Sequence, residues 1–571
     1  MKKAFYYEGQ ATFANDLRMS LKMIGWLFLS VAVLHLFCGI IISISYLGIF
    51  KLKLIFAWII SNFASHAGLS FPIRLAVSNG DIIETTTRLI HKSPVIRENV
   101  FFMLGEIGNV FFGAGIVYLL IPFLFIGFRK RSKKQSMDHH IRGVRFTSVK
   151  ALNKQIKQNN DVPDLPFGID VKMPITVESR GGILVGRPAV GKTVIFNQLI
   201  DRLVERIVRV IIYDFKGEFV RRFFRPETGD LLFNPIDKRT VRWNIFNEIQ
   251  SVLDIEAIAH SLIPDAPSSA DPFWISAARD VFISILHYLH INNFRTNKDI
   301  WRMLSSGNVV VATALGSTPG CERGFRYVED PKSKQALGVF AMLMKHCSCF
   351  EYMAGIDGDF CVKDWMKVRS GRLFIANVAE GQDVIKPALT LFLDLLARAL
   401  LSKKDTQEDK TFFLLDEIAT LQQMSSIVKL LNLGRSRGCC TYLGTQNYTQ
   451  LDQIYSKEIR RSIINSCGSC VVFAVNDTET ASDSSKLIGD VENLKADKSL
   501  SMGLTDHKGG TSLSYHSKTE PLLLPSEIMN FPELTGVVRF ANYPPVITKL
   551  KYKEYDIIAE PLLIRDDLIL K

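Results

Sequence analysis

Eight consecutive residues, Gly186-Arg187-Pro188-Ala189-Val190-Gly191-Lys192-Thr193, set two glycines, a lysine and a hydroxyl at the spacing GxxxxGK[ST]. Such a loop suits a polyphosphate. Main-chain N–H groups and a helix N-terminus cradle the anion, Lys192 reaches the terminal oxygens, and the Thr193 hydroxyl serves a divalent cation. Far downstream, Phe412-Phe413-Leu414-Leu415-Asp416-Glu417 reads as an apolar strand ending in two adjacent carboxylates. Asp416 can hold the cation through water, and Glu417 can polarise an attacking water. Either segment alone has an ordinary explanation, since short loops match by chance and strands often end in surface acids. Together they predict a site for ATP and Mg²⁺. Gly186, Gly191, Lys192 and Thr193 hold the nucleotide there, Thr193 and Asp416 hold the metal, and Glu417 is the catalytic carboxylate. Pro188 and Ala189 make the loop poorer in glycine than many, which keeps a binding but non-hydrolysing site open.

These residues need a sheet to position them. From about Pro174 onward, short apolar runs (ITVESRGGILVG, VRVIIYDF, GRLFIANV, TFFLLDE, CTYLGTQ, CVVFAV, GVVRFAN) alternate with helical patterns. Strands buried on both faces and separated by helices predict a parallel α/β sheet. Between the second and third run the texture changes. In DPFWISAARDVFISILHYL, Phe273, Ala277, Val281, Ile285 and Leu289 recur every fourth residue beside Trp274, Ala278, Phe282 and Leu286. That spacing predicts an amphipathic helix inside an all-α insert over 252–364.

The 571 residues are 47% hydrophobic and 22% charged, too apolar for disorder and slightly rich for a soluble enzyme, so membrane segments are expected. Ile24 to Phe50 has no Asp, Glu, Lys or Arg, and about 27 residues exceed the roughly 20 that cross a bilayer as a helix. A second apolar run ends at Phe128 and is followed by RKRSKK, which marks the cytoplasmic side. Both termini then lie in the cytoplasm. A cleaved signal peptide fits poorly, because the first run starts late and lacks a small-residue cleavage site. The formal net charge of +12 favours a polyanionic partner. Nine scattered cysteines suit a reducing compartment, and the lone Cys467-x-x-Cys470 pair before VVFAV reads as buried hydrophobes in place of a metal site.

Beyond Asp416 and Glu417 come LLNLGRSRGCCTYLGTQNYTQL and INSCGSCVVFAVNDTETASDSSKLIG. The order of phosphate loop, VIIYDFKGEF, DPFW in a helical insert, LLDE, GRSRG before a strand ending in Gln, and IxNSC resembles the TraD/TraG class of type IV secretion coupling proteins. The resemblance runs from about residue 20 to 550. It implies a RecA-like P-loop NTPase domain with an inserted all-α subdomain, preceded by two transmembrane helices.

In chain order the expected domains are a cytoplasmic N-terminus, 1–22, and an anchor, 23–128, with spans at about 24–50 and 107–128 around an external loop. A basic linker, 129–160, leads to the ATPase domain, 161–251 and 365–550, with the insert at 252–364 and a short tail at 551–571. The resemblance further implies Gln446 as a sensor of the γ-phosphate, Arg435 as an arginine finger reaching the neighbouring subunit, and Arg180 as a second basic group near the nucleotide. Arg437 is close enough to be confused with Arg435. Asp214, Lys216 and Glu218 match the family without an assigned role.

The function the resemblance implies is that of an inner-membrane, hexameric ATPase that links a relaxase or relaxosome on single-stranded DNA to a type IV secretion channel. Alternatives are a coupling protein for protein effectors, a weakly hydrolysing docking ring, and, more distantly, a chromosome-segregation translocase. Lys457, Arg460 and Arg461 are candidate DNA contacts by charge alone. The acidic C-terminal docking tail of some relatives is expected to be short or absent.

Overall fold

Strand residues of the catalytic region are apolar on both faces, and the alternation of side chains divides them between two cores. Ile183, Val185, Ile211, Tyr213, Phe413, Leu415 and Leu443 enter one; Leu184, Val210, Ile212, Phe412, Leu414 and Tyr442 enter the other. The strands are β1 (Gly182–Val185), β2 (Arg209–Asp214), β3 (Leu231–Phe233), β4 (Gly371–Ala376), β5 (Thr411–Leu415), β6 (Cys439–Thr445), β7 (Ser469–Val472), β8 (Thr535–Arg539) and β9 (Val546–Lys549). Their spatial order is β9-β8-β7-β1-β6-β5-β2-β4-β3. From β7 to β3 all neighbours are parallel, and β8 and β9 add an antiparallel edge. The order places β6 between the phosphate-loop strand β1 and the carboxylate strand β5.

This computed structural model describes residues 2–76, 81–119, 122–123, 126, 139–265, 271–378, 381–406, 408–501 and 510–569. It comprises two units, Met1–His139 with Lys495–His516, and His140–Leu494 with Ser517–Lys571.

In the first unit a helix runs over Lys2–His66, broken at Gly48, whose φ of 75° only glycine adopts readily. A hairpin of Pro72–Ala76 with Ile82–Thr86 follows, then helices Thr87–Lys92 and Pro94–Ala114. Two segments are long and apolar enough to cross a membrane, Ile24–His66 and Pro94–Leu119. The second helix therefore begins at Pro94 and not near 107, and most of the expected external loop is helical. Ser93, which accepts the Ile96 N–H ahead of Pro94, is the actual start signal. The basic block at 129–134 lies outside the described residues.

In the second unit the expected linker is structured from His140 onward, and Val144 N–H donates to Asp490 O at 3.0 Å. The helix Val149–Gln158 buries Leu152 and Ile156 against Leu165, Phe167 and Val171. Ile175–Arg180, expected as the start of a strand, is a 3₁₀ turn that carries Glu178 inward to Arg206 and Lys410.

The insert is all-α among its described residues. Its helix Pro272–Ile291 is buried on nearly every side, including Arg279 and Asp280, so the expected amphipathic face is too narrow a description; Phe273 alone of the fourth-residue series is 42% exposed. The insert joins the same core as one face of the sheet. The C-terminal segment is not a loose tail either. Ile558 N–H bonds Arg221, and Arg565, 7% exposed, donates to the carbonyls of Pro235 and Tyr352 at 2.6 Å each.

Candidate nucleotide site

The phosphate loop leaves β1 and enters the helix Lys192–Leu203. It is fastened on both sides: Gly186 N–H donates to Thr445 O at 3.2 Å at the end of β6, and Arg187 N–H donates to Ala474 O at 2.8 Å beyond β7. Ala189 takes a left-handed φ of 64° and Gly191 a φ of 123°, so the alanine does not prevent the turn, although it costs about 1 kcal/mol. A Cβ on Gly191 would sit 2.6 Å from Leu550 Cδ1, and one on Gly186 would sit 2.7 Å from Phe473 Cβ. Both positions exclude larger residues.

Lys192 is 8% exposed and donates to the carbonyls of Gly186 and Arg187, the latter at 3.3 Å. Burial lowers its pKa, and Glu417 and Asp416 oppose that shift. Thr193 follows at the helix start, half-buried.

The parallel register sets the acids beside this loop. Asp416 follows β5 and Glu417 is 4% exposed. Glu417 accepts the Gln446 N–H at 3.2 Å, which fixes it at the end of β6. The approach of β5 to β6 is close enough that a Cβ on Gly444 would fall 1.9 Å from Asp416 O. Burial pushes Asp416 up to about 7, aided by the charges of Asp214 and Glu417. Burial raises Glu417 as well, against Lys192.

Asp214, at the end of β2, is raised by burial to about 6 and accepts N–H groups of Glu218, Phe219 and Val220 at 3.0, 2.7 and 2.8 Å. Its role is thus to cap the helix Glu218–Phe223 while adding negative charge beside Asp416. Behind the acids, Thr420 Oγ1 donates to Glu417 O at 2.7 Å and meets Tyr213 Oη at 2.7 Å, which accepts from Asn377 Nδ2 at 3.0 Å. Sequence reading missed this chain, whose members are far apart and match no motif.

A divalent cation fits this donor set. The carboxylates are held near one another with too little positive charge, and Thr193 supplies a hydroxyl. No cluster of three or more His, Cys, Asp or Glu able to hold a metal is found among the described residues. A cation shared between one carboxylate, one hydroxyl, water and phosphate does not need one.

The arginines are elsewhere. Arg180 precedes β1 and Arg435 lies in the 3₁₀ turn Gly434–Arg437 before β6, so both stand at the sheet edge opposite Lys192. Arg180 therefore does not join the nucleotide loop of its own chain; its Nη1 donates to Asn542 at 3.3 Å. Arg437 is spent on the carbonyls of Lys403 and Leu433, each at 3.0 Å, whereas Arg435 is exposed and has no partner among the described residues.

Of the three candidate DNA contacts, Arg460 is withdrawn. It is 1% exposed and ion-paired with Asp452 and Asp483 at 2.8 Å each, a structural role. Lys457 pairs with Glu479 at 3.3 Å, and Arg461 is exposed. Cys467 and Cys470 are buried, with thiols pushed up to about 12 and about 11, which makes them unreactive hydrophobes.

The model of the type IV secretion-system coupling protein DNA-binding domain matches residues 168–551. Coupling protein TraD of Escherichia coli (strain K12) is 27% identical over 464 residues, covering 79% of this chain and 64% of TraD. The chain thus spans less than two thirds of that relative. The type IV secretion system-coupling protein VirD4 of Bartonella henselae is 26% identical over 149 residues, 26% of this chain and 23% of VirD4. The bacterial conjugative coupling protein TrwB shares the fold: its unbound form is 23% identical with a TM-score of 0.63, covering 75% of this chain and 97% of that one. TrwB in complex with ADP and Mg²⁺ is 22% identical, again with a TM-score of 0.63, over 75% of this chain and 98% of that one. With its phosphate loop, paired acids and strand order all inside the matched region, the chain belongs to the type IV secretion-system coupling protein family.

Proposed function

We propose that the chain is an inner-membrane ATPase that links a relaxase–DNA complex to a type IV secretion channel and pumps single-stranded DNA during conjugation. It works as a homo-hexamer, with the motor domain and both termini in the cytoplasm. The observation that carries this reading is the convergence of Lys192, Thr193, Asp416, Glu417 and Gln446 on one edge of a single parallel sheet. ATP is held by the loop N–H groups and Lys192. Glu417, oriented by Gln446, takes a proton from the attacking water, and Gln446 senses the γ-phosphate. Thr193 and Asp416 would hold magnesium, which would neutralise phosphate charge. Arg180 and Arg435 serve the site of the next copy.

The docking-ring alternative loses support from Glu417, a buried carboxylate beside Asp416 that cation and phosphate binding do not use in this reading. The function is tested with the full chain in lipid nanodiscs, measuring ATP turnover with and without single-stranded DNA. Stimulation that fades steeply with added salt is expected, because phosphate contacts release counterions. DNA-independent turnover would remove the pump and leave a protein-effector coupler.

The acids also set a pH dependence. The folded pKa of Asp416, about 7, exceeds that of an unfolded aspartate, so between about pH 4 and 7 the empty folded site holds a proton that the unfolded chain has lost. The contribution of this group to stability therefore declines as pH rises through that window. A cation must displace the proton, so affinity for Mg·ADP rises roughly 10- to 30-fold from pH 5.5 to 8 and levels off above 7. Asp416→Asn removes that slope beyond what the nucleotide's own ionisation causes; titration calorimetry at several pH values reads the difference.

A further inference from the structure

Five exposed lysines gather around the helix Val149–Gln158 and the edge strand β9. Lys150, Lys154 and Lys157 lie along one face of the helix, and Lys172 and Lys549 stand across a groove of about 630 Å³. None of the five has an ion-pair partner among the described residues, and Asp170 is the one carboxylate lining the groove. Some lysines elsewhere are paired, as Lys363 with Asp254, Lys403 with Asp409 and Lys410 with Glu178, but these five are gathered on one surface with one carboxylate among them. Like charges three and four residues apart destabilise a helix, so this spacing opposes folding without an internal compensation.

The groove is lined by neither an arginine nor an aromatic ring. Single-stranded nucleic acid is usually gripped by aromatic platforms as well as charge, and arginine forks phosphate bidentately. Here the lysines are flanked by exposed aliphatic side chains, Ile169 at 47% and Ile547 at 43%. Flexible ammonium groups around small apolar contacts suit a lipid headgroup layer. The helix also follows Phe128, the end of the second apolar run, by about 20 residues, at most roughly 70 Å of chain.

We propose that this lysine face docks on acidic phospholipid headgroups of the membrane in which the chain is anchored. The proposal rests on the membrane anchoring given above. Each lysine that reaches an anionic surface contributes about a five-fold gain in partition, so five act together as a strong but salt-sensitive contact.

The test reconstitutes the full chain into nanodiscs of pure phosphatidylcholine or of phosphatidylcholine with phosphatidylglycerol, then acetylates exposed lysines briefly and reads each site by mass spectrometry. In anionic discs Lys150, Lys154, Lys157, Lys172 and Lys549 should label several-fold more slowly than in neutral discs, with recovery in high salt. Lys298 and Lys334 on the insert should label equally in both. In the Lys150→Gln/Lys154→Gln/Lys157→Gln variant, Lys172 and Lys549 should lose most of their protection. Equal labelling in the two discs by a chain that has inserted overturns the lipid contact alone. Failure to insert overturns the anchoring as well. Protection by single-stranded DNA in neutral discs, without protection by acidic lipid, overturns the proposal in favour of a nucleic-acid surface.

Discussion

Glu417→Gln lowers ATP turnover by roughly 10²- to 10⁴-fold while leaving nucleotide binding in place. The substitution keeps the shape of the side chain and an oxygen able to accept the Gln446 N–H, now at 3.2 Å from Glu417 Oε1. What it removes is the basic carboxylate. It also removes one negative charge beside Asp416, whose pKa is raised in part by Glu417, so the neighbouring acid ionises more easily and cation binding is not weakened. Loop contacts to the phosphates come from the backbone and Lys192 and are untouched. The measurement is turnover of the full chain in nanodiscs beside fluorescent-nucleotide binding on the same sample. A turnover within about three-fold of the parent would remove Glu417 from the role of base. Lost binding together with lost turnover would point instead to a collapsed site.

How far the sequence carried this reading depended on whether the needed information was local. The loop from Gly186 to Thr193 and the strand before Asp416 are continuous segments whose residue types state their chemistry, and the structure sets them on neighbouring parts of one sheet edge. The interposed β6 was also legible, because its apolar run ends in Gln446. Asp214 was visible as an acid at a strand end but had no role, since capping the helix Glu218–Phe223 depends on backbone N–H groups that a sequence does not display. Arg460 misled for the same reason: its charge suggested a channel surface, while its partners Asp452 and Asp483 fold back from both directions along the chain. The start of the second apolar helix was the less legible boundary, because a cap is a backbone feature. The first apolar helix breaks at Gly48, two residues before the expected end at Phe50, whereas the second starts at Pro94 behind the Ser93 cap and not near 107.

Arg435→Ala lowers turnover by about 10³- to 10⁵-fold, the range of a finger that neutralises charge on a transferring phosphoryl group. Arg435 stands at the sheet edge opposite Lys192, so in a ring it would serve the neighbouring copy. That arrangement has a consequence a purely structural arginine would not share. An Arg435→Ala subunit still carries an intact loop and Glu417, and a Glu417→Gln subunit still carries Arg435. Mixing the two inactive variants at equal amounts before assembly makes some interfaces in which a good arginine faces a good carboxylate. With random mixing and independent sites, about a quarter of interfaces qualify, and turnover should return to about that share of the parent value. Arg437→Ala is the contrasting variant: its guanidinium holds Lys403 O and Leu433 O within its own chain, so its loss loosens the turn before β6 and lowers melting temperature more than turnover. No recovery in the mixture, with assembly shown intact, would place Arg435 outside the neighbouring site.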